Sequence, residues 1–489
     1  MPTTSWKSRA IWSLTGTADA SLKIFSKAHL LGIRSFTAVA SLCFVFALAP
    51  LPGFGGGCRG RLLDAKSGLP IVDGLATMGN NAVKTGGDGV FQVSGAGDVV
   101  GIRADGYLRT ELPLSSCTSS APVVTLTPFR PKALYLSFYA IGNSTIRGSA
   151  VKLTEKTELN ALVIDVKGDR GMISYPSAIP LAREDGAQST ITVRDLKARL
   201  SELHRQHLYL IARIVTFKDD TLASAKADLA VKTKDGKVWR DSENMAWTDP
   251  FKKEVRDYNI EIAVEAAQAG FDEIQFDYVR FPDNKNVVFS EPNNEAARVD
   301  TIAAFLAEAR KRLTPYNVFL SADIFGYVCW NQNDTGIGQK VERIGKIVDY
   351  ISPMLYPSTF QYGIPGDRTP VKDPLDIIRL TLARAQERTG LNPVHFRPWL
   401  QAFRDYAFDR RKFGADQIRD QIQAADRFGS DGWMLWNPRN VYTTAGLTMH
   451  QMEDITSPWS EQRQEHLNHS RAAGNSTLGG CCAAGVAAK

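Results

Sequence analysis

Glu273-Ile274-Gln275-Phe276-Asp277-Tyr278-Val279-Arg280-Phe281-Pro282 is a β-prone run with one carboxylate close to its C-terminal end. Ile274, Phe276, Tyr278, Val279 and Phe281 favour an extended, half-buried backbone. Pro282 ends it, having no N–H to give to a central ladder. Asp277 thus stands alone in an apolar strand, with Tyr278 and Arg280 beside it. A lone acid in such a place costs free energy unless it is paired, hydrated or used in chemistry. At the C-terminal mouth of a barrel strand it would be used; the plainer reading is a hydrated acid at a strand end.

The surrounding chain repeats the strand signal. From Pro131 onward, candidate strands fall at Ala133–Phe138, Ala161–Val166, Leu208–Phe217, Glu273–Val279, Val318–Ile324, Ile347–Leu355, Val394–Ala402 and Gly432–Trp436. Amphipathic stretches separate them. Val255, Tyr258, Ile262 and Ala266 recur at helical spacing between Asp249-Pro250 and Gly270, and Val299, Ile302, Phe305 and Leu306 share one face of Glu295–Leu313. Eight strand–helix repeats predict an α/β fold, a (β/α)8 TIM barrel. A doubly wound sheet is the rival, but no glycine-rich phosphate turn follows a strand, and no cofactor is expected.

Composition is that of an ordinary globular protein, 44% hydrophobic and 22% charged over 489 residues. The net charge of +6 is concentrated at the start: Lys7, Arg9, Lys23, Lys27 and Arg34 against Asp19 give +4 by residue 34, leaving +2 for the remainder. With no basic stripe elsewhere, nucleic acid is not expected as a partner. An apolar run from Phe36 to Leu51 follows the basic segment, which is the pattern of an export signal or an N-terminal membrane anchor. Residues 1–57 are therefore read as such a segment, and the chain as exported from a bacterial cytoplasm to the periplasm, the cell envelope or the medium. A buried core helix is the alternative for the apolar run.

Cys58 and Cys117 flank one compact segment and suit a disulfide in an exported protein. Cys329 reads as core, Cys43 lies in the export run, and Cys481-Cys482 sits in a Gly/Ala-rich tail. His204/His207 and His466/His469 are the histidine pairs at helical spacing; both read as solvated, and no metal site is expected. Residues 58–128 carry short β runs at Val90–Val93, Val99–Arg103 and Val123–Leu126, punctuated by Lys66-Ser67-Gly68, Gly79-Asn80-Asn81, Asp88-Gly89 and Asp105-Gly106. This order resembles the carboxypeptidase regulatory-like β-sandwich modules of exported bacterial proteins, which implies a small N-terminal all-β sandwich domain serving as a spacer or docking module. Residues 461–489 read as a disordered tail.

Three predicted strands carry acids in their C-terminal halves: Asp165, Asp277 and Asp323, on the second, fourth and fifth. Neighbouring strands run about 4.8 Å apart, so the last two acids can meet at the spacing of a glycosidase pair, about 5–5.5 Å for retention or 6.5–9.5 Å for inversion. Such chemistry needs one ionised carboxylate and one protonated. Asp277, with Arg280 expected to keep it charged, is assigned as nucleophile or charge stabiliser. Asp323, between Ala322 and Ile324-Phe325, is assigned as general acid/base. The reverse assignment, or a structural role for either acid, stays open. Asp165 and Lys167 read as a sugar-hydroxyl contact or a structural ion pair.

Tyr278, Tyr356, Trp399 and Trp436 offer flat apolar faces to a sugar ring, and Gln401, Arg404 and Asn437 offer polar groups at the same rim; any one of the aromatics is more often core. A long third connection, Lys218 to Asp249, brings Trp239 and Trp247.

The blocks ALVIDVKGDRG, WTDPF, AGFDEIQFDYVRFP, SADIFGY, ISPMLYPS and DGWMLWNP resemble bacterial glycoside hydrolase-like barrels long catalogued as a domain of unknown function. The resemblance spans about residues 131–460. It implies a TIM-barrel glycosidase with an acid after the fourth strand, matching Asp277. It brings no substrate, and the fifth and seventh strands lack a clear Glu, so Asp323 would have to act as the acid. The expectation is an exported glycoside hydrolase cleaving O-glycosidic bonds of a polysaccharide or oligosaccharide. A non-catalytic carbohydrate-binding barrel at the envelope is the alternative, and a metal-dependent deacetylase a third, weaker one.

Overall fold

Alternation along each strand builds the molecule. A computed structural model describes residues 56–117 and 121–450. Residues 1–55, which hold all but the last two positions of the expected export segment, and the tail after residue 450 therefore lie outside the described residues, as do Cys43, Cys481, Cys482 and the pair His466/His469.

Eight parallel strands close into a barrel: β1 (Lys132–Leu136), β2 (Ala161–Lys167), β3 (Tyr209–Val215), β4 (Glu273–Asp277), β5 (Phe319–Phe325), β6 (Tyr350–Met354), β7 (Trp399–Gln401) and β8 (Trp433–Trp436). Each neighbours the next in chain order and β8 pairs with β1. All eight predicted strands are present. The largest difference in length is at β7, where Pro393–His395 forms a 3-10 turn and Pro398, lacking an N–H, precedes the strand. The helix Lys253–Ala269 ends at Gly270 in the left-handed region, and Glu295–Leu313 is capped by the Asn294 side chain.

β4 is not the apolar strand with one acid that its sequence suggests. Ile274 and Phe276 face outward into the helix layer. The alternate residues Glu273, Gln275 and Asp277 are all buried and face inward. Gln275 donates across the barrel to Ser352 Oγ at 3.2 Å and approaches Met434; Glu273 meets Arg397, and Asp277 meets Arg213. The barrel interior is thus polar at both ends, with Tyr135, Val163, Ile211, Trp399 and Met434 among the packing between them.

Residues before the barrel form two sheets. Gly56–Asp64 lies between Val90–Gly95 and Val123–Leu126; the second sheet runs Asn81–Lys84, Leu75–Met78, Val99–Arg103, Thr110–Pro113. Leu62, Phe91 and Val93 of one sheet and Ala76, Met78 and Ile102 of the other share a core, and Cys58 is bonded to Cys117. This sandwich is no detached spacer. It packs on the N-terminal end of the barrel, where Leu108 and Phe129 join the core of Tyr209 and Tyr350. Gly106, at a φ of +83° that its missing Cβ permits, donates its N–H to Tyr350 Oη at 3.2 Å. Asn317 Nδ2 donates to the Thr110 carbonyl at 2.9 Å.

Candidate active site

Strand register sets the two acids side by side. Phe276 pairs with Ala322 in the β4–β5 ladder, so the following residues, Asp277 and Asp323, stand level on neighbouring strands with side chains on the same face. Both border a cavity of about 180 Å³ at the C-terminal mouth, lined also by Tyr278, Arg280, Phe325, Gln339, Met354, Tyr356 and Thr359.

The two carboxylates differ in every contact. Asp277 Oδ2 accepts from Arg213 Nε at 2.9 Å and Nη2 at 2.6 Å, and its Oδ1 accepts from the Tyr278 N–H at 2.6 Å. Arg213 also donates to Asp165 at 2.7 Å and to Asp169 at 3.1 Å, so one buried guanidinium gathers three acids. Among the described residues Asp323 forms no ion pair, and Arg213 acts on it only from a distance. Its Oδ1 accepts from Trp399 Nε1 at 2.8 Å, and its buried Oδ2 has no hydrogen-bond partner. Burial, reinforced by the charge on Asp277, pushes the Asp323 carboxyl well above the ordinary range; the Trp399 bond opposes that rise without cancelling it. One level of the barrel thus presents an ion-paired carboxylate beside a carboxyl whose protonated form burial favours.

Arg213 carries the arrangement, and the sequence reading passed over it. It sits in Tyr209–Val215 as the one charged residue among apolar neighbours, a signal as clear as Asp277 itself. Arg280, expected to hold Asp277 charged, makes no direct ion pair with it and acts on it only through space: it donates to the Phe281 carbonyl at 3.0 Å and stacks on Trp247 and Tyr278. The local backbone explains the detour. Tyr278 takes a φ of +47°, a costly conformation for a residue with a large side chain. Gly171, at φ +84°, lets the loop carrying Asp169 pass Asp219, which a Cβ would strike.

Of the expected sugar contacts, Tyr278, Arg280 and Tyr356 line the cavity. Asp165 lies behind Arg213, accepting also from Tyr135 Oη at 2.7 Å, with its carboxyl pushed up to about 6 chiefly by burial. Lys167 does not pair with Asp165. The register of the β2–β3 ladder shifts between its partners, Arg213 pairing with Asp165 and Ile214 with Lys167, and Lys167 meets Asp219 at 2.7 Å and Asn259 at 2.8 Å in full burial. Trp399 is buried and spends its N–H on Asp323, so it orients an acid rather than offering a face. Gln401 is tied to Ser358, and Asn437 to the Ala402 and Val441 carbonyls; both brace loops. Trp436 stacks on Tyr135 with centroids 3.8 Å apart and lies 4.8 Å from the Arg213 guanidinium carbon. Arg404 donates to the Arg410 carbonyl. His204, read as solvated, is instead partly buried against Asp272 at 3.1 Å. Phe325, Gln339, Met354 and Thr359 were missed; Phe325 and Met354 end β5 and β6, a position that could have singled them out.

A family model described as "Putative glycosyl hydrolase domain" matches residues 133–442. A hypothetical protein from Ruminiclostridium thermocellum is 43% identical over 39% of this chain and 96% of its own, with a TM-score of 0.35. The PgaB (BpsB) glycoside hydrolase domain from Bordetella bronchiseptica is 13% identical over 64% of this chain and 95% of its own, with a TM-score of 0.47. Group II chitinase catalytic domain 2 from Ostrinia furnacalis is 12% identical over 63% and 90%, with a TM-score of 0.39. No curated protein matches.

Proposed function

The chain belongs to this glycosyl hydrolase family, and from that premise we propose that it cleaves O-glycosidic bonds of a polysaccharide with Asp277 and Asp323. The observation that carries the proposal is the level pairing of unlike carboxylates on one cavity: Asp277 on Arg213, and Asp323 buried with a free oxygen. Asp323 gives its proton to the glycosidic oxygen as the bond to the anomeric carbon breaks. Asp277 opposes the positive charge that grows on that carbon, or attacks it to form an ester. Water completes the reaction, losing a proton to the Asp323 carboxylate and adding hydroxyl to the anomeric carbon. Strands about 4.8 Å apart favour the closer, retaining geometry.

We place the enzyme outside the cytoplasm. The basic and apolar start of the chain and the Cys58–Cys117 bond support an oxidising compartment. The sandwich supports the barrel from below, on the face away from the cavity.

The test is digestion of a polysaccharide panel with the product anomer read by NMR. Products that begin with the starting anomer support a covalent Asp277 ester, and inverted products an Asp277-activated water. Glycan binding with no product across the panel would replace the hydrolase with a carbohydrate-binding barrel.

A further inference from the structure

Arg280 borders the same cavity as the two acids and is held by two rings. Its guanidinium carbon lies 4.8 Å from the centre of Trp247 and 5.2 Å from that of Tyr278. Trp247 is fixed in turn by its N–H on Asp241 at 3.0 Å. Aromatic faces hold a guanidinium in one plane while leaving its edge open. One edge N–H reaches the Phe281 carbonyl at 3.0 Å. Among the described residues no carboxylate lies within ion-pairing distance of Arg280, whereas Arg213 meets three and Lys218 meets Glu243 at 2.6 Å and Asp241 at 3.4 Å.

Asp277, Asp283 and Asp241 act on Arg280 only from beyond direct contact, and a cation stripped of much of its water without a direct anionic partner gains from a ligand that supplies one. The planar fork of arginine matches the paired oxygens of a carboxylate or a sulfate. Of the neighbouring acids, Asp277 is ion-paired with Arg213, which also holds Asp165 and Asp169, and burial raises the Asp323 carboxyl well above the ordinary range.

We propose that Arg280 binds an anionic substituent of the sugar, a ring carboxylate or a sulfate ester, so that the cavity takes an acidic glycan. The substrate half of this assignment rests on the glycosidase reading; the binding half stands on Arg280 alone. It makes Arg280 a specificity-determining residue, apart from the acids that act on the bond.

The experiment uses matched oligosaccharides that differ in charge. Oligogalacturonates and alginate oligomers are each compared with their carboxyl-reduced counterparts, and carrageenan oligomers with their desulfated forms. Saturation-transfer NMR on the full chain reads binding and product in one tube. The acidic member of at least one pair should bind about tenfold tighter or more, the size of one charge-assisted hydrogen bond. High salt should erase that preference, and Arg280→Gln should reduce it to about twofold or less. The uronate and sulfate arms tell which anion is read. Should Arg280→Gln fail to fold, the salt series on the unaltered chain decides. Equal binding within every pair, no binding by any acidic member, or a preference that survives in folded Arg280→Gln overturns the assignment. An acidic preference with no product supports Arg280 and removes the hydrolase. Neutral and acidic members cleaved equally well remove the Arg280 assignment and keep the hydrolase.

Discussion

Arg213 and Arg397 stand at opposite ends of one barrel, each fully buried and each gripping carboxylates from other segments. At the mouth, Arg213 holds Asp165, Asp169 and Asp277. At the floor, Arg397 donates to Glu273 at 2.5 Å and Asp431 at 2.6 Å, with its guanidinium carbon 4.0 Å from the centre of the Tyr350 ring. Among the described residues both ends leave a carboxylate oxygen without a hydrogen bond: Asp323 Oδ2 above and Glu273 Oε1 below. Burial, ion pairing and orphaned oxygens therefore do not separate the candidate site from a structural cluster. Access does. The mouth opens on the cavity, whereas Gly106, Leu108 and Phe129 of the sandwich cover the floor.

If access is the right criterion, substitutions at the mouth should cost turnover and those at the floor should cost stability. The largest effect is expected for Asp277→Asn. The amide keeps the shape but loses the charge opposing a cationic transition state, so kcat should fall about 10³-fold or more, an added barrier of about 4 kcal/mol. Circular dichroism and the urea midpoint should show a folded chain. Turnover near that of the unaltered enzyme would remove Asp277 from the chemistry.

Asp323→Asn comes next and sharpens the division of labour within the mouth. Loss of the acid should cost about 10²–10⁴-fold on natural glycans, and much less on aryl glycosides whose leaving group needs no proton. The pH profile gives an independent reading. In the proposed mechanism Asp323 acts only when protonated, and its raised pKa carries that form beyond the range of ordinary carboxylates. Rates should hold as pH rises and then decline as Asp323 ionises, and the variant should lose that alkaline limb. An unchanged limb would assign the proton to another group.

The comparison also explains what the chain discloses before it is folded. The barrel was legible because outward residues such as Ile274 and Phe276 meet the helix layer and advertise strands through their hydrophobicity. The acids were legible one at a time, as polar interruptions of those strands. Their partners were not, because each ion pair closes between distant segments: Arg213 and Asp277 are 64 residues apart, and Arg397 and Glu273 are 124 apart. Arg280 lies three residues from Asp277 and was the natural partner by proximity. The left-handed turn at Tyr278 leaves it stacked on Trp247 instead. Neither that turn nor the covered floor leaves a trace in local spacing.

At the floor the prediction reverses. Glu273→Gln removes one of the two carboxylates on Arg397 and leaves a buried guanidinium short of charge. Stability should drop by about 3 kcal/mol, the size seen when one partner of a buried pair is lost. In urea the midpoint should fall, while KM and kcat of the folded fraction stay within about twofold. A large loss of kcat at unchanged stability would mean that the two ends communicate and that access alone does not divide them.

The smallest expected effect lies where the sandwich meets the floor. Asp105 sits 3.4 Å from His395 and faces Asp349, Asp431 and Arg103. Burial, with Asp349 adding to it, pushes its carboxyl up to about 7, while His395 and Arg103 pull the other way. In the unfolded chain the same group titrates near the ordinary carboxylate value, about 3.9. Between those two values the folded state holds a proton that the unfolded state has released, so this group's contribution to stability falls as pH rises from about 4 to about 7. Asp105→Asn cannot ionise. Its melting temperature should match that of the unaltered chain near pH 4 and exceed it modestly at pH 7.5, with turnover unchanged. If the two melting curves stay parallel across that range, the Asp105 proton does not couple to folding, and the junction is held by Tyr350, Asn317 and the apolar contacts of Leu108 and Phe129.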